Sequence, residues 1–159
     1  MRTVVVYDTK FGNTAKIAES IARGAGVRGR VTIMDTAEAS TALTERPDLL
    51  IIGGPTQRRG ASPAVRGFVG ALPASLRGVP AATFDTRYRG AAWLMGSAAA
   101  EAAKRLGNVG ARLAAPPESF FIARRGPLEA QGLETGELER AEAWGRGVGA
   151  AATSRGEEP

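Results

Sequence analysis

The greatest capacity for chemistry in this 159-residue sequence lies in one short run, Thr9-Lys10-Phe11-Gly12-Asn13-Thr14. It follows an apolar stretch and precedes a helical pattern, so it sits where a strand hands over to a helix. Thr9, Asn13 and Thr14 offer polar side chains. Gly12 lets the backbone approach a ligand or turn left-handed, and the first amides of the following helix lack carbonyl partners. Together these groups make an anion pocket, and a phosphate fits it. Thr9 and Asn13 also serve a plainer purpose as caps for the helix. The loop alone supports both readings.

Other chemistry is excluded by composition. The sequence has no cysteine and no histidine, which removes disulfides, thiolate or imidazole metal sites, protein-ligated iron–sulfur clusters and any His-dependent triad. Redox or hydrolytic chemistry here requires a bound group. The pattern G-x-G-x-x-G occurs as Gly24, Gly26 and Gly29, but it follows a helix and leads into a strand, the reverse of what pyrophosphate binding needs. It reads as a connecting loop. No G-x-x-x-x-G-K-[ST] is present, which argues against a nucleotide-hydrolysing loop.

The net charge of +5 and pI near 10.4 raise the question of nucleic acid. The 21 basic residues include only three lysines, Lys10, Lys16 and Lys104, and the arginines are scattered among Gly and Ala. That is compositional bias rather than a binding arm, and nucleic acid is not the expected partner. No apolar run reaches the roughly 20 residues of a membrane helix, and the N-terminus lacks a signal-peptide layout. No membrane association and a cytoplasmic location are expected.

The elements that must position the first loop alternate between strand and helix. Arg2 to Asp8 carries the run VVV, suited to a strand buried on both faces. From Asn13, Ile17 and Ile21 stand four apart with Lys16, Glu19 and Arg23 on the other side of a helix. A second strand is predicted over Arg30 to Asp35, a short helix within Thr36 to Glu45, and a third strand over Asp48 to Gly54. Ser62 and Pro63 then make an N-cap followed by a proline at the first helical position, with Val65, Phe68, Val69 and Leu72 on one face. A fourth strand is predicted near Val79 to Phe84, an Ala-rich helix near Ser97 to Leu106, and a fifth strand within Ala111 to Ala123, interrupted by Pro116 and Pro117. Phe120 and Phe121 read as core. Thr135 can cap a last helix with Leu138, Ala141 and Val148 on one face, and Trp144 reads as structural. The expectation is one α/β domain over residues 1–152, a doubly wound parallel sheet in three layers, with a frayed tail over 153–159.

In an open parallel sheet, ligands sit beyond the carboxyl ends of the strands. The loops Asp8 to Thr14, Pro55 to Ser62 and Asp85 to Trp93 follow the first, third and fourth strands and so lie at that end of the sheet. The same architecture serves phosphoacceptor receiver domains, which need an acidic pair after the first strand and an aspartate ending the third. Here Asp8 supplies one acid at most, the third strand ends GGPT, and Asp48 is at its wrong end.

The stretch YDTKFGNTAKIAESIA resembles the phosphate loop and first helix of flavodoxins, with the match on Thr9, Gly12, Asn13 and Thr14. Phe11 stands where a hydroxyl is usual, as in the flavodoxin-like domains of some larger flavoproteins. The resemblance continues through IIGGPT and FDTRYRGAAWLMGSAA, so it covers nearly the whole chain. It implies a five-stranded sheet in the order 2-1-3-4-5 and noncovalently bound flavin mononucleotide (FMN). The implied cofactor residues are Thr9, Lys10, Phe11, Gly12, Asn13 and Thr14 in the first loop and Pro55, Thr56 and Gln57 in the second. Asp85, Thr86, Arg87, Tyr88 and Trp93 complete the set in the third. For Trp93 a ring-facing role stands beside packing of the neighbouring helix; Tyr88 either faces the ring or covers the sheet edge. The second loop has no aromatic residue, whereas many flavodoxins stack one there.

The resemblance implies an electron carrier whose flavin supplies the chemistry while the protein supplies binding, orientation and field. The alternatives are an FMN-dependent NAD(P)H:quinone-type reductase and a flavin-free interaction module. Flavodoxins are acidic, which keeps their potentials low; this sequence instead puts Arg58, Arg59, Arg87 and Arg89 in the two ring loops. At about 8 Å each cation favours an anionic flavin by roughly 0.5 to 2 kcal/mol for an effective dielectric of about 80 to 20. A less negative potential and an acidic redox partner are the expectations if the arginines tune the site; solvated surface charge is the alternative.

Overall fold

A computed structural model describes residues 1–154. Strand β1 (Arg2–Tyr7) alternates its side chains between two cores, as the two-residue period of a strand requires. Val4 and Val6 enter one core and Val5 the other. Helix α1 (Asn13–Ala25) follows, then β2 (Arg30–Asp35), α2 (Thr36–Ala42) and β3 (Leu49–Pro55). In β3 the alternation recurs: Leu50 and Ile52 face one way, Leu49 and Ile51 the other. Helix α3 (Pro63–Gly70) has Ser62 as its N-cap, the hydroxyl accepting from the Val65 N–H. Leu72 falls beyond the end of α3 but still packs against the core.

Strand β4 (Pro80–Arg87) is followed by the one-turn helix α4 (Ala92–Met95), α5 (Ala98–Asn108), the short strands β5 (Arg112–Leu113) and β6 (Glu118–Phe121), and α6 (Glu137–Ser154). All strand pairs are parallel, in the order β2-β1-β3-β4-β5, with β6 also on β4. The expected fifth strand is thus two pieces split at Pro116 and Pro117, which cannot donate to a ladder. Pairing of Phe84–Arg87 with Glu118–Phe121, and of Asp85 and Thr86 with Gly54 and Pro55, carries β4 three residues past the predicted end, so Asp85, Thr86 and Arg87 are strand rather than loop.

Helices α1 and α6 cover one face of the sheet; α2, α3 and α5 cover the other. On the first face, Phe84, Phe120 and Trp144 meet edge to face, with centroids 6.1 to 6.4 Å apart. Trp144 is structural, as expected. The Gly24-Gly26-Gly29 pattern serves this layer as well. Gly24 lies inside α1, where a Cβ would overlap the Glu142 backbone of α6, while Gly26 to Gly29 form the connection to β2.

Two side chains depart from expectation. Phe121 is half-exposed, lying beneath the guanidinium of Arg89 at 4.2 Å, so only Phe120 is core. Leu138 is 38% exposed and leaves Ala141 and Val148 as the buried face of α6; Gly136, with φ of 87°, rather than Thr135 immediately precedes that helix. Thr153 and Ser154 close α6, and the rest of the expected tail, 155–159, lies outside the described residues. Among the described residues, no helix is long and apolar enough to cross a membrane.

Candidate functional site

The carboxyl ends of β1, β3 and β4 lie side by side, and the three expected loops meet there. In the first loop Gly12 is the N-cap of α1 with φ of 89°, and its N–H donates to Thr9 Oγ1 at 3.1 Å. A residue with a Cβ is strained at that φ, although a Cβ would meet no atom within 4 Å. Open space therefore faces the loop. No side chain among the described residues caps α1, so the capping reading of Thr9 and Asn13 is replaced by two other roles. Thr9 braces the loop from within. Asn13 is buried and its Nδ2 donates to the Gln131 carbonyl at 2.8 Å. The first N–H groups of α1 are left without intrahelical acceptors.

Thr14 is also buried, sharing a 2.7 Å hydrogen bond with Thr86 Oγ1 on β4. That bond ties the first loop to the third. Asp85, fully buried, ties the third to the second. Its Oδ2 accepts from Ser97 Oγ at 2.6 Å, from the Ala99 N–H at 2.9 Å and from Thr56 Oγ1 at 3.2 Å. Its Oδ1 lies 3.8 Å from Arg87 Nε and has no hydrogen-bond partner among the described residues. Arg87 in turn donates to Ser119 Oγ and to the carbonyls of Tyr88 and Gly90. Asp85 is thus a buried hub behind the site rather than a wall of it.

The three loops enclose a cleft of about 310 Å³, within the range of small-molecule pockets. Of the expected residues, Lys10, Phe11, Asn13, Pro55, Thr56, Gln57, Thr86, Arg87 and Tyr88 line it. Thr9, Gly12, Thr14, Asp85 and Trp93 do not. Trp93 is 81% exposed on α4, so it is not buried in helix packing, and Met95 on the same turn lines the cleft instead. Tyr88 is half-buried, its hydroxyl bonded to Gln131 Oε1 and its ring beneath Arg124.

Ile122 and Gln131 complete the lining with Met95 and were not legible as site residues. The signal for two of them was length: the segment from Ile122 to Gly136 is long for a connection within a compact domain, and such loops are commonly functional. Arg58 and Arg59 also line the cleft, in a tight turn closed by paired bonds between Gln57 and Gly60, at φ of 46° and 69°. Glu101 of α5 braces that loop by accepting from the Ala61 N–H at 2.8 Å and from Arg66 at 2.7 Å. Its carboxyl is held at about 2, first by the hydrogen bond from Arg66, against the opposing effect of burial and with help from the Ala61 amide and Arg105. Arg89 is absent from the lining, paired with Glu134 at 2.8 Å.

The sequence matches the family model described as Flavodoxin over residues 5–144. No curated protein matches it. The fold is similar to that of a flavodoxin from the domain Archaea, with a TM-score of 0.76 at 17% identity, covering 96% of this chain and 99% of that one. Flavodoxin 2 from Bacillus cereus gives a TM-score of 0.72 at 18% identity, covering 94% and 99%. Rubredoxin oxygen:oxidoreductase from Desulfovibrio gigas gives 0.76 at 17% identity, covering 99% of this chain but 37% of that one. With the 2-1-3-4-5 sheet and a family match spanning most of its length, this chain belongs to the flavodoxin family.

Proposed function

We propose that this protein binds FMN noncovalently and acts in cytoplasmic electron transfer with an acidic protein partner. The observation that carries the reading is the opening at the start of α1, where Gly12 at φ 89° faces free space beside a cleft of about 310 Å³. Unpartnered N–H groups at a helix N-terminus suit a dianionic phosphate. Thr9 keeps the loop in shape for it, and Thr14 fixes the loop to β4 through Thr86. Pro55, Thr56 and Gln57, with Thr86, Tyr88 and Met95, line the space where a planar ring would lie. Tyr88 is the aromatic face on offer, and Gln131 holds its hydroxyl.

When bound, the flavin supplies the redox chemistry; the chain binds and orients it and sets the field around it. No side chain in the cleft needs to act as an acid or a base. Membership of the flavodoxin family favours this reading over a self-sufficient NAD(P)H:quinone-type reductase and over a flavin-free module. The test is the visible spectrum and fluorescence of purified protein titrated with FMN. A shifted absorption band with quenched emission at one equivalent is expected; free-flavin spectra throughout would overturn the assignment.

A further inference from the structure

The mouth of the cleft combines positive charge with exposed apolar surface. Among its 14 lining residues are four cations and no carboxylate. Three of them, Lys10, Arg58 and Arg59, have no ion-pair partner among the described residues. Arg58 and Arg59 occupy the left-handed region that side chains disfavour, and strain of this kind persists where function calls for it. The turn is coupled to α4: Arg59 Nη2 donates to the Trp93 carbonyl at 3.1 Å, and Gly96 packs so closely on the Arg59 backbone that a Cβ would not fit. On that helix Trp93 is joined by Leu94, 55% exposed, and Phe11, 44% exposed, lines the cleft beside Lys10.

Large exposed apolar side chains beside arginine are the composition of a protein interface core, where Trp and Arg supply much of the binding energy. We propose that this face, resting on the electron-transfer reading above, docks an acidic redox protein. Trp93 and Leu94 are its apolar anchors, and Lys10, Arg58 and Arg59 its charges. A second copy of this chain is a poor occupant, since a two-fold contact would set the same cations against one another. In this assignment Trp93 belongs to the outer surface of the site rather than to the flavin.

The probes are an acidic plant-type [2Fe–2S] ferredoxin and, as a contrast of opposite charge, a basic c-type cytochrome. Docking is read on isotope-labelled protein by NMR, with and without FMN, so that it is measured even if the flavin assignment fails. Expected are ferredoxin-induced shifts at Arg58, Arg59, Trp93 and Leu94 in both states, weakened roughly tenfold between about 20 and about 200 mM salt. Arg58→Glu with Arg59→Glu should abolish them and promote cytochrome binding. Leu94→Asp should weaken ferredoxin docking while FMN uptake stays unchanged. Binding insensitive to salt and to charge reversal, shifts confined to another face, or concentration-dependent dimerisation through Trp93 would each overturn the proposal; absence of FMN uptake with docking intact would sink only the cofactor.

Discussion

Among single residues, Gly12 and Thr14 hold the first loop by different means. Gly12 supplies a backbone angle that an L side chain reaches only at a cost of about 1–2 kcal/mol. Gly12→Val should therefore push the loop out of shape and weaken FMN binding by roughly tenfold or more, read by fluorescence titration; because no atom crowds the position, the loss of overall stability should stay near that backbone cost of about 1–2 kcal/mol. Thr14→Ala breaks the tie to Thr86 and should weaken binding less. Asp85 acts through others. Removing its carboxylate leaves Ser97, Thr56 and the Ala99 amide without their acceptor, and Asp85→Ala should destabilise the fold by about 1–3 kcal/mol in urea unfolding. The glycine turn at Gly12 was legible in the sequence because strand-to-helix turns obey local rules, whereas the bonds of Asn13 to Gln131 and of Thr14 to Thr86 join residues far apart in the chain. The role of Asp85 was not legible either, since its hydrogen-bond partners come from two distant segments, the second loop and the start of α5.

Between elements, two contacts decide how the layers sit. Helices α1 and α6 cross so closely that a Cβ at Gly145 would overlap the Ile21 carbonyl, and one at Gly24 the Glu142 backbone. Gly145→Ala must separate the helices and should cost about 1–3 kcal/mol, seen as a lowered urea midpoint. On the other face, Glu101 joins α5 to α3 through Arg66 and to the second loop through Ala61. Its carboxyl titrates near 2 in the folded protein against 4.5 ordinarily, so its contribution is present above about 4.5 and is lost as pH falls towards 2. Unfolding curves over this range should show the wild type losing more stability on acidification than Glu101→Gln, whose side chain has no proton to gain. Equal slopes would show that the pair adds nothing.

Across the molecule as a whole, the charge is the departure. The chain carries a net charge of +5, and its cleft gathers Lys10, Arg58, Arg59 and Arg87 without a carboxylate. The four arginines expected to act on the flavin are not equivalent: Arg89 is spent on Glu134, and Arg87 faces buried Asp85 at 3.8 Å. Arg58 and Arg59 remain as the cations that would favour an anionic form of the proposed flavin, and a contribution of roughly 0.5 to 2 kcal/mol from each would correspond to tens of millivolts for one electron. Spectroelectrochemical titration should give a second reduction potential less negative than those of acidic flavodoxins. Replacing both arginines by Gln should lower it; an unchanged potential would leave them as surface charge.

The order of strands and helices, the capped start of α3 and the glycine turn before α1 are all written in the linear sequence, because periodicity, caps and turns are set by neighbours along the chain. The run Thr9 to Thr14 carries the family resemblance in the same local way. Contacts across the sheet settled the rest. Pairing with β3 and β6 turned Asp85 to Arg87 into strand. Exposure on a one-turn helix took Trp93 out of the cleft, while a long connection brought Ile122 and Gln131 into its wall. Burial and ladder pairing depend on residues far apart in the chain, and a local pattern does not say which distant segment will supply the partner.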